Sequence, residues 1–303
     1  MLTIFTIPKP FHGHIDIIQR NAIQSWTRLR PACEIVLCGD ELGIREVARE
    51  FEAKHVQNMA HNEFGTPLLD SAFALAEQVA KYPLMCYVNA DIMLLSDFIK
   101  AVERIRFPRF LMVGRRWNID LTTSWDFEPS DWEGQLRKYV AEHGLIQPPI
   151  GSDYFVFQKG ALGKLPPFAV GRPAWDNWMI YRARALGITV IDATRATTVI
   201  HQNHDYTHVP KAKGAATLEG PEADRNRKLM GGLDYQFDLP DATHLLTRRM
   251  LLPALLPAHM WRRLQTFPIL KPRMKPISQP MYKLLRLVLS VLHFLRRLMG
   301  AKD

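Results

Sequence analysis

Short runs of almost unbroken apolar residues constrain this chain most: Leu2–Ile7, Glu34–Cys38, Leu84–Val88, Phe110–Gly114 and Tyr154–Gln158. All read as strands, and Leu84–Val88, a fully apolar run bounded by polar residues, has the pattern of a central parallel strand buried on both faces. Between them the apolar spacing turns helical. Ile15, Ile18, Ala22 and Trp26 mark a helix over 15–27, and a second helical stretch covers 44–53. A short strand is predicted near His55–Gln57. Thr66-Pro67 then form an N-cap and first-turn pair for a helix running to about Lys81. Strand–helix alternation of this kind predicts an α/β fold: a mostly parallel, Rossmann-like sheet with helices on both faces.

The second half is less regular. Residues 117–150 are rich in Trp and Asp and read as a loop with one helix near Trp132–Glu142. Further expected elements are a helix over Trp175–Leu186 and short strands at Thr189–Ile191 and Thr197–Ile200. Residues 211–243 are polar and read as a mobile loop. The length of 303 residues suffices for a full core without metal or disulfide staples.

The net charge of +9 first points to nucleic acid, but the distribution argues against it. Residues 244–303 hold twelve Lys/Arg and one acid, which leaves 27 basic against 29 acidic residues in 1–243. The expected division is therefore a body, 1–243, and a basic tail, 244–303, with no nucleic-acid partner. Within the tail, Lys283, Arg286, Ser290, His293 and Arg297 recur at helical spacing and leucines fill the remainder. That pattern predicts a basic amphipathic helix suited to an anionic membrane surface. Leu245–Trp261 has a similar mixture, broken by prolines. Packing of the tail on the body or on a second subunit is the competing account.

Three cysteines cannot all pair, which argues against an oxidising compartment. The N-terminus lacks the basic and long apolar regions of a signal peptide. No uncharged apolar run reaches the roughly 18–20 residues that span a bilayer. The expected location is cytoplasmic and peripheral, at the inner face of a membrane.

An open α/β sheet binds ligands at the carboxyl ends of its strands. The residues there are Thr6–Phe11, Gly39-Asp40, Asn89-Ala90-Asp91, Arg115-Arg116 and Gly151-Ser152-Asp153. The first strand is not followed by G-x-G-x-x-G, and the chain has no P-loop, H-E-x-x-H or G-x-S-x-G, which removes several enzyme classes. YVNADIML is the sharpest feature. Asn89 and Asp91, two apart at a strand tip, can both reach a hard divalent cation; an Asx-turn is the plainer alternative. His201, His204 and Asp205 form a second dense group just after a strand, with His208 beyond it. Trp175 and Trp178 fit core packing or a platform for a sugar ring.

The order TIPK, GD, NEFG-x-P, YVNADI, GSDYFVF, WDNWMIYRARALG resembles the GT-A nucleotide-sugar glycosyltransferases, over residues 1–210. Asn89-Ala90-Asp91 looks like their D-x-D motif with Asn in the first place. Trp175-Asp176-Asn177-Trp178, followed by Arg182, is similar to the inverting members' E-D-x-x-x-x-x-R segment. The resemblance implies a nucleotide-diphosphate sugar donor, a glycan or lipid-linked hydroxyl acceptor, and Mn²⁺ or Mg²⁺. It also implies roles. Thr6, Pro8, Lys9, Asp40, Thr66, Asp70, Asn89 and Asp91 would serve the donor. Asp91 with His201 or His204 would serve the metal. Asp176 would be the general base, with Asp153 the next candidate or a sugar ligand. Two other classes stay open: a sugar-nucleotide nucleotidyltransferase, which lacks here its glycine-rich loop, and a non-catalytic membrane scaffold.

Overall fold

A computed structural model describes residues 1–204 and 219–274. The first half of the chain forms β1 (Leu2–Thr6), α1 (Gly13–Thr27), β2 (Glu34–Cys38), α2 (Ile44–Glu50), β3 (Lys54–Val56), α3 (Leu69–Val79), β4 (Leu84–Val88), β5 (Ile92–Leu94), α4 (Ser96–Glu103), β6 (Phe110–Val113) and β7 (Trp117–Ile119). The second forms α5 (Trp132–His143), β8 (Leu145–Ile146), β9 (Tyr154–Gln158), α6 (Trp175–Ala185), β10 (Thr189–Arg195), β11 (Val199–Gln202), α7 (Pro221–Met230), β12 (His244–Thr247), β13 (Leu251–Pro253) and α8 (Pro257–Leu270).

Nine strands form one sheet in the order β13-β12-β10-β6-β9-β4-β1-β2-β3. The pairs β1–β2, β1–β4, β2–β3, β6–β10 and β10–β12 are parallel. β9 lies at the centre and runs antiparallel to both β4 and β6. Its first residue, Tyr154, pairs with the last residue of β4, Val88. This reversal brings the segment before β9 to the same sheet edge as the segment after β4.

The alternation along each strand shows why both faces are covered. Leu2 and Ile4 of β1, Cys86 and Val88 of β4, and Val156 of β9 pack with Trp26 of α1, Val47 of α2 and Phe98 of α4. Their neighbours point the other way. Phe5 meets Phe73 of α3 edge-on at 4.9 Å, and Phe73 stacks on Phe157 at 5.6 Å. Tyr87 and Phe155 both meet Trp175 of α6 at 5.3 Å. Successive strand residues therefore face opposite helical layers, and both faces of the sheet are covered.

A second sheet, β5-β11-β7-β8, sits beside the first. β5 is antiparallel to β11, with Ile92 opposite His201. Helix α1 locks onto β5: the Trp26 indole N–H donates to the Ile92 carbonyl (2.9 Å) and the Leu94 N–H donates to Ser25 Oγ (3.0 Å).

Several expectations are corrected. The helix after Thr66-Pro67 starts later, at Leu69, and Leu68 is its N-cap; the Thr66 hydroxyl instead bonds the Glu222 carboxylate. The stretch 211–243 is not a loop throughout, since 221–230 is helix α7 with Pro221 in its first turn. Leu245–Trp261 is not an amphipathic helix; it supplies β12, β13 and the start of α8. The boundary at 243/244 also moves. β12 pairs in parallel with β10, so the body extends through Pro253 and the second unit is 254–303. Among the described residues that unit contains α8 and the short turn Pro272–Met274. The predicted tail helix, Met281–Met299, lies outside the described residues, as do Asp205 and His208. Among the described residues no helix is long and apolar enough to cross a membrane. Cys33, Cys38 and Cys86 are free thiols.

Candidate active site

The chain leaves the large sheet at Val88, turns through Asn89-Ala90-Asp91, and enters the small sheet at Ile92. A bond from Ile92 N–H to the Asn89 carbonyl (3.1 Å) tightens that turn. The pairing of β5 with β11 then fixes what Asp91 meets, because Gln202 N–H donates to the Asp91 carbonyl (3.2 Å). His204 Nε2 lies 3.1 Å and His201 Nε2 3.6 Å from Asp91 Oδ2. The three side chains each offer one ligand atom within 4.8 Å of the others.

Burial disfavours the charged form of Asp91, but His201, His204 and Lys9 outweigh it and hold the carboxyl well below its usual range. Lys9 is itself pushed down by burial, with Asp91 acting in the opposite sense. Its backbone is fixed from both sides by Gln19: Lys9 N–H donates to Gln19 Oε1 (2.7 Å) and Gln19 Nε2 donates to the Lys9 carbonyl (2.9 Å). Among the described residues, Asp91 Oδ1 and His201 Nδ1 are buried without a hydrogen-bond partner. Such atoms are costly unless something coordinates or bonds them. An ionised carboxylate and two imidazoles therefore fit a divalent cation, and imidazole nitrogen suits Mn²⁺ better than the oxygen-seeking Mg²⁺.

Asn89 also ties the end of β4 to the start of β9. Its side-chain Nδ2 donates to Asp153 Oδ1 at 2.9 Å. Asp153 also forms an ion pair with Arg116. The carboxylate of Asp153 is thus engaged twice, both times through Oδ1, and holds the ends of β4 and β9 together.

Asp176 is in the opposite condition. It lies in the first turn of α6, whose entry is set by Trp175 packing under Tyr87 and Phe155. Burial raises its pKa to about 6, with the nearby Asp153 charge adding to the shift. Ser152 N–H reaches its Oδ2 at 3.3 Å. Gly151 passes so close that a Cβ there would stand 3.3 Å from the same oxygen, at a φ of +78°. The residue before α6, Ala174, has φ +87°, a left-handed conformation an alanine rarely adopts, held beside the carboxylate. A carboxyl group ionising near neutrality has the pKa expected of a general base.

These groups line one cavity of about 350 Å³. Lys9, Asn89, Asp91, Asp153, Asp176, His201 and His204 all lie on its wall, so the metal-type group and both candidate acids are brought together. Thr6, Pro8, Asp40, Thr66 and Asp70 do not line it. Asp40 is exposed and accepts from Asn58 N–H (2.8 Å). Thr6 and Pro8 are buried in the body. Thr66 stands behind the wall, through Glu222, which pairs with the lining Arg172 at 2.6 Å. Trp175 lines the cavity, whereas Trp178 packs on Phe168. Arg172 and Gln147 are wall residues that sequence reasoning missed. Arg172 sits in a Gly-Arg-Pro turn pinned by Asn226 of α7, whose Nδ2 donates to the Ala169 (3.0 Å) and Pro173 (3.2 Å) carbonyls; no local pattern marks it.

No family model matches the chain, and no curated protein matches it. Among solved structures it is similar to TarS of S. aureus (residues 1–349, in complex with UDP-GlcNAc), at 11% identity over 78% of this chain and 72% of that one, with a TM-score of 0.47. It is also similar to the mannosyltransferase PcManGT of Pyrobaculum calidifontis, in complex with GDP-Man and Mn²⁺: 12% identity, 75% and 69% coverage, TM-score 0.42. A third is glucosyl-3-phosphoglycerate synthase of Mycobacterium tuberculosis, in complex with Mg²⁺ and UDP: 11% identity, 77% and 80% coverage, TM-score 0.43.

Proposed function

We propose that this chain is a glycosyltransferase of the GT-A type, moving a sugar from a nucleotide-diphosphate donor to a hydroxyl acceptor with inversion at the anomeric carbon. The observation that carries this reading is the content of one cavity: a two-histidine, one-carboxylate group and, on the same wall, a carboxylate ionising near pH 6. Asp91, His201 and His204 would hold Mn²⁺, or less favourably Mg²⁺. Such a cation, when bound, neutralises the charge of a departing diphosphate. Lys9, in the field of Asp91, adds a cation on the same side. Asp176 accepts the proton of the acceptor hydroxyl as its oxygen bonds to the anomeric carbon and the bond to the diphosphate breaks. Arg116, Asp153 and Asn89 keep the strand ends that carry these groups in register.

Association with a membrane's cytoplasmic face through the basic segment belongs to the same proposal. Residues 254–303 hold ten Lys/Arg and one acid. Lipid-linked as well as glycan acceptors fall within reach of a protein so placed. The test is calorimetric titration of the full chain with UDP-, GDP- and CMP-sugars, with Mn²⁺ and with EDTA, followed by mass detection of nucleoside diphosphate release. Binding of one donor that disappears in EDTA and in Asp91→Ala is expected. Absence of binding to every donor sinks the reading.

A further inference from the structure

The segment between α5 and β9 reads Gly-Leu-Ile-Gln-Pro-Pro-Ile-Gly-Ser and carries no charge between His143 and Asp153. Its apolar side chains are in the open: Leu145 is 75%, Ile150 57% and Ile146 38% exposed, and Pro148 and Pro149 are exposed as well. Isolated apolar residues on a surface need no explanation, but five within six positions make a patch.

The patch is held in place. Leu145 and Ile146 pair with Asn118 and Trp117 of β7, and Gln147 N–H donates to the Arg116 carbonyl (2.9 Å). Gln147 Oε1 accepts from Asn118 Nδ2 (3.0 Å), and its carbonyl accepts from Arg115 Nε. It is also continuous with the cavity, since Gln147 and Ile150 line the wall. From Ile150 the chain passes Gly151, beside Asp176 Oδ2, to Ser152, whose N–H reaches that oxygen. One residue, Gly151, thus separates the exposed apolar surface from the contact with the base.

We infer that residues 145–150 form the acceptor subsite, and that the acceptor is an amphiphile whose hydroxyl lies at Asp176 while a long aliphatic chain lies along Leu145, Ile146 and Ile150. The inference rests on the glycosyl-transfer reading, which makes Asp176 the base and its side of the cavity the acceptor side. A glycan acceptor needs hydrogen-bonding side chains along its length. This segment supplies one, Gln147, whose side-chain Oε1 already serves Asn118. An aliphatic chain needs only what is there, water-exposed apolar area that it can cover.

The test uses the full chain with Mn²⁺ and UDP, GDP or CMP, whichever binds. Linear 1-alkanols of four to ten carbons, each below its aggregation limit, are titrated in. Affinity is expected to rise roughly two- to four-fold per methylene. In the double variant Leu145→Gln/Ile146→Gln the dependence on chain length is expected to vanish while nucleotide affinity holds. A flat series in the wild type, or an unchanged series in the variant, overturns the subsite and leaves the proposed function standing. Binding of the wild type but not the variant to neutral phosphatidylcholine vesicles, with a flat alkanol series, makes the patch a membrane-inserting loop and also overturns the assignment. Failure of all three nucleotides to bind removes the glycosyl-transfer reading, and the subsite with it.

Discussion

Asn89 and Asp153 are joined twice, backbone to backbone and side chain to side chain, each at 2.9 Å. The first bond extends the β4–β9 ladder by one step beyond Val88 and Tyr154. The second places an amide where a carboxylate would face another carboxylate. Asn at this position therefore does what Asp cannot do.

Replacing Asn89 by Asp is accordingly expected to harm the protein and not to strengthen metal binding. The new carboxylate would lose a hydrogen bond to a charged partner and repel Asp153, at a cost of about 1–3 kcal/mol. Its own pKa would be raised in the folded state, so the penalty is full near neutral pH and shrinks as the pH falls and the group protonates. Urea unfolding of both forms at pH 7 and pH 4.5 measures this. An Asn89→Asp protein as stable as the wild type at pH 7, or one with tighter Mn²⁺ binding, contradicts it.

Asp176→Asn should leave donor binding intact and lower turnover by roughly 10²–10⁴, the usual worth of a positioned base. Asp176 acts only when ionised and its pKa is about 6. Wild-type turnover should therefore rise with pH through about 6 and then level off. Steady-state rates between pH 5 and 8 give the limb directly; a profile flat across that range assigns the base elsewhere.

Asn21 and Gln202, both almost wholly buried, tie α1 to β11 behind the metal-type group. Asn21 Nδ2 donates to Gln202 Oε1 (2.9 Å), Trp125 N–H donates to Asn21 Oδ1 (2.9 Å), and Gln202 Nε2 reaches the Ile18 carbonyl (2.8 Å). Asn21→Ala strands two of these groups in the interior. A loss of about 1–3 kcal/mol in unfolding free energy is expected, together with weaker Mn²⁺ binding. Denaturant melts and metal titration of the variant test both parts.

A chain ending at Pro253 keeps every strand of the large sheet, whereas one ending near Leu239 removes β12 and uncovers the edge of β10. The longer truncation product should fold and bind nucleotide; the shorter should aggregate through its open edge. Only the full chain should sediment with anionic vesicles, in part reversed by high salt, because basic residues near such a surface contribute roughly 1 kcal/mol each and are screened. Vesicle binding by the form ending at Pro253 would place the membrane contact in the body.

The sheet and its helices are legible from the pattern of residues along the chain. Runs such as Leu84–Val88 can be buried only on both faces, so strands, their order of appearance and the helices between them follow from local pattern. It also brought out Asp91, Asp176, His201 and His204, since each stands just beyond an apolar run or at a helix start. The remainder depends on contacts between distant parts of the chain. Local pattern does not set strand direction, so the reversal of β9 that joins Asp153 to Asn89 was invisible. Asp40 and Thr66 sit at positions that look like strand tips and caps, yet their partners, Asn58 and Glu222, are 18 and 156 residues away along the chain. Arg172 reaches the cavity because Asn226 pins its turn and Glu222 holds its guanidinium. Contacts of that sequence separation are fixed by packing, and no short stretch of residues encodes them.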